Sequence, residues 1–370
     1  MTATKGLEGI VATTSSISSI IDGVLTYRGY NIDDLADHTT FEEVVHLLWF
    51  GKLPNQEELS ELRTRLEKSA AIPSAVVEQM KLYPSDANTM AVLRTAISAL
   101  ALYDEQANDT GHDANVHKAI ALQAQLPTVV AAFARVRAGK EPISPKPGHS
   151  IAYNFLYMLT GEEPSDSALS AMDKALVLHA DHELNASTFA ARVTVATLSD
   201  MYSGVVSAIG ALKGPLHGGA NEAVMVMLEE IADLDRVDDY IQSKLDNKEK
   251  IMGFGHRVYK NGDPRAKHLQ KMSRELGEAC QDMKLYDMST RIESLVTGQK
   301  GLKPNVDFYS ASVYTMLGIP RDLFTPIFAI SRVSGWTAHI LEQLDNNRII
   351  RPRAEYTGPS SQLFIPIQER

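Results

Sequence analysis

From residue 40 onward, apolar residues recur at helical spacing almost without a break, and that period argues against a sheet-based fold for most of the chain. Helical patterns fill about 73–82, 88–106, 114–138, 149–160, 165–183, 185–213, 220–233, 236–247, 263–280, 285–298, 305–318 and 322–346. Thr40 and Glu43 form a capping box ahead of the apolar stripe Val44, Val45, Leu47 and Leu48, which Gly51 and Pro54 end. Asn55 and Glu58 repeat the box for the next helix. Pro127 is expected to kink its helix. Only residues 16–27 read as strand, where Ile, Val, Thr and Tyr flank Asp22-Gly23, a strong hairpin signal. The expected fold is all-α with a short N-terminal β-hairpin.

At 370 residues, 44% of them hydrophobic, the chain has core enough for two domains, with flexible points expected at Gly214-Pro215 and at 246–250. Its net charge of -10 argues against general nucleic-acid binding, which needs a broad basic surface. Cys280 stands alone, so neither an intrachain disulfide nor a cysteine zinc cluster can form, and a reducing cytoplasm is the expected compartment. The first residues lack the apolar core of a secretory signal. No run of about 18 uninterrupted apolar residues occurs, so no membrane association is expected.

Common ligand motifs are missing. There is no phosphate-binding G-x-x-x-x-G-K-[ST] loop, and Gly253-Phe254-Gly255 lacks the third glycine of a dinucleotide fingerprint. His179, His182 and Glu183 stand in the order H-x-x-H-E, which matches no helical zinc motif, so no metal is expected there.

Three loops instead carry an ionisable side chain into a helix start. In the first, Pro215 and glycines 214, 218 and 219 surround His217, ahead of a helix from Ala220. Free N–H groups at a helix start disfavour imidazolium and favour a neutral, hydrogen-bonding histidine; the bland reading is a tight turn with a surface histidine. The second loop runs from Gly253 through His256 to Asp263, Pro264 and Arg265. Asp263 suits an N-cap and Pro264 the first helical position, which leaves Arg265 in the first turn as a carboxylate ligand. Residues 250–271 carry six cations, Lys250, Arg257, Lys260, Arg265, Lys267 and Lys271, against one acid, Asp263. Most charge runs are solvated helix faces, but the glycine-histidine context favours an anion site. In the third, Pro304 and Asn305 start a helix with Asp307 in its first turn; aromatic neighbours would bury that carboxylate and raise its basicity. Farther on, Arg332 lies on an apolar helix and should have a buried anionic partner, and Arg348, Arg351 and Arg353 cluster around Pro352.

The segments GPLHGGANE (214–222), GFGHRVYKNGDPRA (253–266) and PNVDFYSA (304–311), in this order, resemble the citrate synthase family, and the likeness runs over nearly the whole chain. That resemblance implies a large domain of residues 1–217 and 313–370, a small domain of 218–312, and a dimer with shared active sites. It also implies condensation of acetyl-CoA, a co-substrate, with oxaloacetate, and no tightly bound cofactor. By motif, His217 corresponds to the group that hydrogen-bonds the thioester oxygen, Asp307 to the base, and His256 to the group that polarises and protonates the ketone. His182, Arg265, Arg332 and Arg351 correspond to oxaloacetate ligands, with Arg351 reaching across from the second subunit. Lys260 and Lys300 fall at positions associated with CoA phosphates.

Rival readings are the same chemistry on propionyl-CoA, giving 2-methylcitrate, and a non-catalytic helical binding protein. The motifs do not separate the two acyl groups, since one methylene changes binding only slightly. A scaffold has no need of His217, His256 and Asp307 together. A lyase running in the cleavage direction would usually need extra nucleotide-binding domains.

Overall fold

The helical period is realised as sixteen α-helices among the described residues of the computed structural model, which are 5–7, 9–256, 258–259 and 261–370. A hairpin of β1 (Ser18–Ile21) and β2 (Val24–Tyr27) opens the chain, and a two-residue β3 (Tyr30–Asn31) pairs antiparallel to β2. There follow α1 (Ile32–His38), α2 (Phe41–Phe50), α3 (Gln56–Ser69), α4 (Ser74–Lys81), α5 (Thr89–Leu100), α6 (His112–Arg137), α7 (Ile151–Thr160) and α8 (Asp166–His179). The second half holds α9 (Ala186–Val195), α10 (Met201–Leu212), α11 (Ala220–Ile231), α12 (Val237–Asp246), α13 (Pro264–Cys280), α14 (Lys284–Lys300), α15 (Val306–Met316) and α16 (Phe324–Asp345).

Both capping boxes form as the sequence predicts, and Gly51 ends α2 in the left-handed conformation, which costs glycine little. Three readings need correction. The short helix α1 escaped notice because only two turns separate its Asn31 cap from the next helix. The single helix predicted over 185–213 is two: Leu198 takes a positive φ of 66°, and Asp200 accepts from Ser203 N at 2.9 Å to start α10. Helix α8 stops at His179 rather than 183, because Glu183 adopts φ 48° and Asn185 caps α9.

Helix α6 is central. It runs through Pro127 without ending, and it is long and apolar enough to span a membrane, yet most of it is buried in the core. A fully buried Lys118 on it donates to the carbonyls of Gln106, Ala107 and Asp109. Its charge is thus shared by backbone acceptors, which is how a buried ammonium survives without a carboxylate.

Two features position the site. First, the hairpin pins the 181–183 loop: buried Tyr27 donates to Asp181 O at 3.0 Å, Glu183 N donates to Ser18 Oγ at 2.8 Å, and Ile20 N donates to Glu183 Oε1 at 2.7 Å. Second, α11 to α15 pack on one another, and α13 is clasped to α1 where Lys267 Nζ and His268 Nε2 meet Asp33 at 2.6 and 2.7 Å.

Candidate active site

Two loops far apart in sequence are stitched together. Gly255 N donates to Lys303 O, Asn305 N to Gly253 O, and Asn305 Nδ2 to Gly255 O, each at 2.9 Å. The approach is close: a Cβ on Gly253, whose φ is 80°, would strike Phe308 and Val224. The pairing brings the His256 loop against the start of α15, which carries Asp307. Asp263 tightens the joint. It caps α13, takes Arg265 in a bidentate pair at 2.9 and 2.7 Å, and accepts from Val306 N at 3.2 Å. One buried carboxylate therefore orients both helix starts.

Asp307 lies in the first turn of α15 as predicted, and its Oδ1 is buried with no hydrogen-bond partner among the described residues. Burial pushes its pKa up to about 7, against the pull of Arg265, Arg332 and Lys250. His256 accepts at Nδ1 from Val258 N (3.0 Å) and Tyr259 N (3.3 Å), so its proton sits on Nε2 and points away from the loop. Burial, with Arg265 beside it, lowers its pKa to about 4, so it is a neutral donor at pH 7. His182 packs edge-on against it, ring centroids 5.3 Å apart, and its Nε2 meets Tyr259 Oη at 3.1 Å. Burial and then Arg265 and Arg332 hold His182 well below the usual histidine range.

His217 lies within the turn that joins α10 to α11, as expected, and burial with Arg332 lowers its pKa to about 4. The helix start it meets is a different one: its Nε2 lies 2.8 Å from Ser187 Oγ and 3.3 Å from Ser187 N, in the first turn of α9. Arg332 is almost wholly buried, and here the expected anionic partner is missing. Its Nε donates to His179 O at 2.8 Å, its guanidinium lies 4.7 Å from the Phe328 ring centroid, and no carboxylate is within ion-pair distance among the described residues. Burial lowers its pKa to about 10, so it stays charged and in need of an anion. His217, His182 and Asp307 all feel its charge.

Other candidates fall outside this cluster. Arg351 is exposed, on the wall of a hollow of about 750 Å³ together with Arg192, Glu342 and Arg348. Lys300 ends α14 and is exposed. Lys260, like Arg257, lies outside the described residues. The basic run is partly a solvated face after all, since Lys267 pairs with Asp33 and Lys271 approaches Glu275 at 3.8 Å.

Sequence reasoning missed Tyr259 and Ser187, which meet His182 and His217 through the fold, and Trp336, which reaches His217 only by way of Ser187. It placed Asp263 as a cap but not as the partner of Arg265, although their spacing of two allows both roles. His179 and His182 diverge: His179 faces the core and meets Ala175 O at 2.8 Å. Among the described residues no group of three His, Cys, Asp or Glu side chains could hold a metal. Dialysis against a chelator is expected to leave activity unchanged; loss that zinc restores would overturn this.

A family model described as "Citrate synthase, C-terminal domain" matches residues 6–353. The "Citrate synthase 2" of Bacillus subtilis (strain 168) is 62% identical over 371 residues, covering 100% of both chains. The "2-methylcitrate synthase 1" of Corynebacterium glutamicum is 44% identical, covering 99% of this chain and 98% of its own. Among solved structures, a citrate synthase from Thermoplasma acidophilum, in a ternary complex with carboxymethyl coenzyme A and oxaloacetate, superposes with a TM-score of 0.93 at 36% identity, covering 99% of each chain. With this fold and these whole-length matches, the chain belongs to the citrate synthase family of acyl-CoA condensing transferases.

Proposed function

We propose that the chain condenses acetyl-CoA with oxaloacetate and water to give citrate and CoA, the step that feeds two carbons into the tricarboxylic acid cycle. The observation that carries this reading is the juxtaposition of Arg332, a buried cation that pairs with no anion among the described residues, and Asp307, a buried carboxylate with one oxygen that meets no donor among them.

A thioester methyl is a very weak carbon acid, so a carboxylate deprotonates it only if the enolic oxygen is stabilised as charge develops. Asp307, made more basic by burial, takes the methyl proton, while neutral His217 donates a hydrogen bond to the thioester oxygen. The enol carbon then attacks the ketone carbon of oxaloacetate. His256 polarises that ketone from its Nε2–H and protonates the oxygen as the bond forms. Water hydrolyses citryl-CoA and frees CoA. The dianionic substrate sits against Arg332, the free edge of Arg265, His182, and Arg351 of the partner subunit. The bidentate pair with Asp263 already takes one edge of Arg265. CoA phosphates fall to Lys260 and Lys300, and no tightly bound cofactor is needed.

On this reading 218–312 is a small domain that closes on 1–217 and 313–370 and excludes water before the enol forms. The enzyme works as a cytoplasmic homodimer. Propionyl-CoA is the competing acyl donor, and the similarity to 2-methylcitrate synthases keeps it open. Thiol release with oxaloacetate present tests both: acetyl-CoA is expected to give the higher kcat/KM. A preference for propionyl-CoA makes the chain a 2-methylcitrate synthase, and release with neither donor removes the proposal.

A further inference from the structure

Behind His217 lies a second layer that the reaction above does not use. Trp336, on α16, and Ser187, on α9, are both fully buried. Trp336 Nε1 donates to Ser187 Oγ at 3.0 Å, and the same oxygen lies 2.8 Å from His217 Nε2. Asn185 Oδ1 completes the surroundings of Oγ at 2.7 Å, while the same Oδ1 caps α9 by accepting from Thr188 N at 3.1 Å. Among these neighbours Trp336 can only donate.

The geometry bears on which nitrogen of His217 carries the proton. Ser187 N, a backbone donor that cannot rotate away, points at His217 Nε2 from 3.3 Å. An Nε2–H would face that proton head-on, so Nε2 acts as acceptor. The single hydroxyl proton of Ser187 is shared between Nε2 and Asn185 Oδ1. If that proton settled on Asn185, the hydroxyl would offer its lone pairs to His217 and favour the opposite tautomer. The Trp336 proton works against this outcome in two ways. It takes up one lone pair of Oγ, and an oxygen that already accepts one hydrogen bond is a poorer acceptor for a second, so the hydroxyl resists an Nε2–H and is kept as a donor.

We propose that Trp336 is a positioning residue for the condensation, acting through Ser187 to keep His217 accepting at Nε2 and donating from Nδ1 into the cleft. The inference rests on the role given to His217 above. It assigns a function to a buried tryptophan that touches no reacting atom, and it explains why the indole N–H is directed at a hydroxyl rather than at a backbone carbonyl.

The test uses the full-length enzyme with ¹⁵N-labelled histidine, the His217 ring signals being assigned by their loss in His217→Gln. In Trp336→Phe the resting-state shifts are expected to move toward protonated Nε2. Its kcat should fall roughly 2- to 13-fold, the scale of one lost hydrogen bond, with KM for oxaloacetate within about twofold of the parent. In a double-mutant cycle, Ser187→Ala with Trp336→Phe should be no slower than Ser187→Ala alone, because the tryptophan acts only through the hydroxyl. Should Trp336→Phe fail to fold, benzothienylalanine in place of tryptophan removes the N–H and keeps the ring, with Trp49→Phe as the background so that position 336 alone is altered. Unchanged ring shifts, or losses that multiply in the double variant, overturn the proposal. The tautomer is read in the resting enzyme, so that result stands apart from the reaction: it is undiminished condensation by His217→Gln that would sink the functional reading instead.

Discussion

Asp307→Asn is expected to lower turnover by about 10²- to 10⁴-fold while leaving oxaloacetate binding close to that of the parent. The amide keeps the shape of the carboxylate and removes the base. Oxaloacetate is assigned to Arg332, Arg265 and the histidines, none of which the substitution touches, so turnover and binding should separate. Wild-type-like turnover would remove Asp307 as the base. Two pH effects accompany this. With a pKa of about 7, the wild-type base is lost by protonation as pH falls, so kcat/KM should drop with unit slope below about pH 7. Folding stability runs the other way. Burial raises the pKa of folded Asp307 above its ordinary 3.8, so its ionised form is a folding cost that is complete above pH 7 and disappears as pH falls toward 4. Asn carries no such cost. The inactive variant should therefore melt higher than the parent at pH 8, by an amount bounded at about 4 kcal/mol, and the difference should vanish near pH 4. Calorimetry at the two pH values measures it.

Mixing two dead variants, Asp307→Asn and Arg351→Ala, is expected to restore activity. Arg351 is exposed and lies apart from the cluster of its own chain. Beyond it the described chain has no helix or strand apart from one short turn of helix, and it leaves Leu363, Phe364 and Ile367 at 90%, 83% and 72% exposure. An extended apolar tail of this kind is usually mobile unless something covers it. In the proposed homodimer a second copy of the chain would supply the cover, and two-fold symmetry would seat each tail at the other subunit's cleft. In a heterodimer of the two variants one site holds both lesions and the other none, so activity should approach about half that of a normal dimer. Heterodimers verified by mass that stay as inactive as their parents would show that Arg351 does not act across the interface.

Much of this molecule was legible from its sequence, and what was hidden is of one kind. Helices announced themselves where a cap and a stripe coincided, as at Thr40 and Asn55. The break between α9 and α10 was missed because apolar residues continue through it, and only the left-handed Leu198 and the Asp200 cap divide them. His217, His256 and Asp307 stood out through their glycine and proline settings. Ser187, Tyr259 and Trp336 did not, because each has an ordinary local sequence: Ser187 meets His217 and Tyr259 meets His182 only after distant segments have packed, and Trp336 bonds Ser187 alone. Arg332 shows the same limit from the other side. A buried cation implied an anion inside the chain, whereas the fold leaves it facing an aromatic ring and a carbonyl.

The stitched loops at 253–255 and 303–305 have a consequence for how the enzyme tolerates change. They mount His256 and Asp307 on one hydrogen-bonded frame, while His217, Ser187 and Arg332 belong to another, built from α9 and α16. On the proposed roles, the base and the donor for one thioester therefore belong to separate hydrogen-bonded frames. Their alignment depends on the joints between the frames, the packing of α11 on α15 and, farther off, Asp33 against Lys267 and His268. Each half can remain intact when such a joint loosens, so mutations there would detune the reaction without damaging either half.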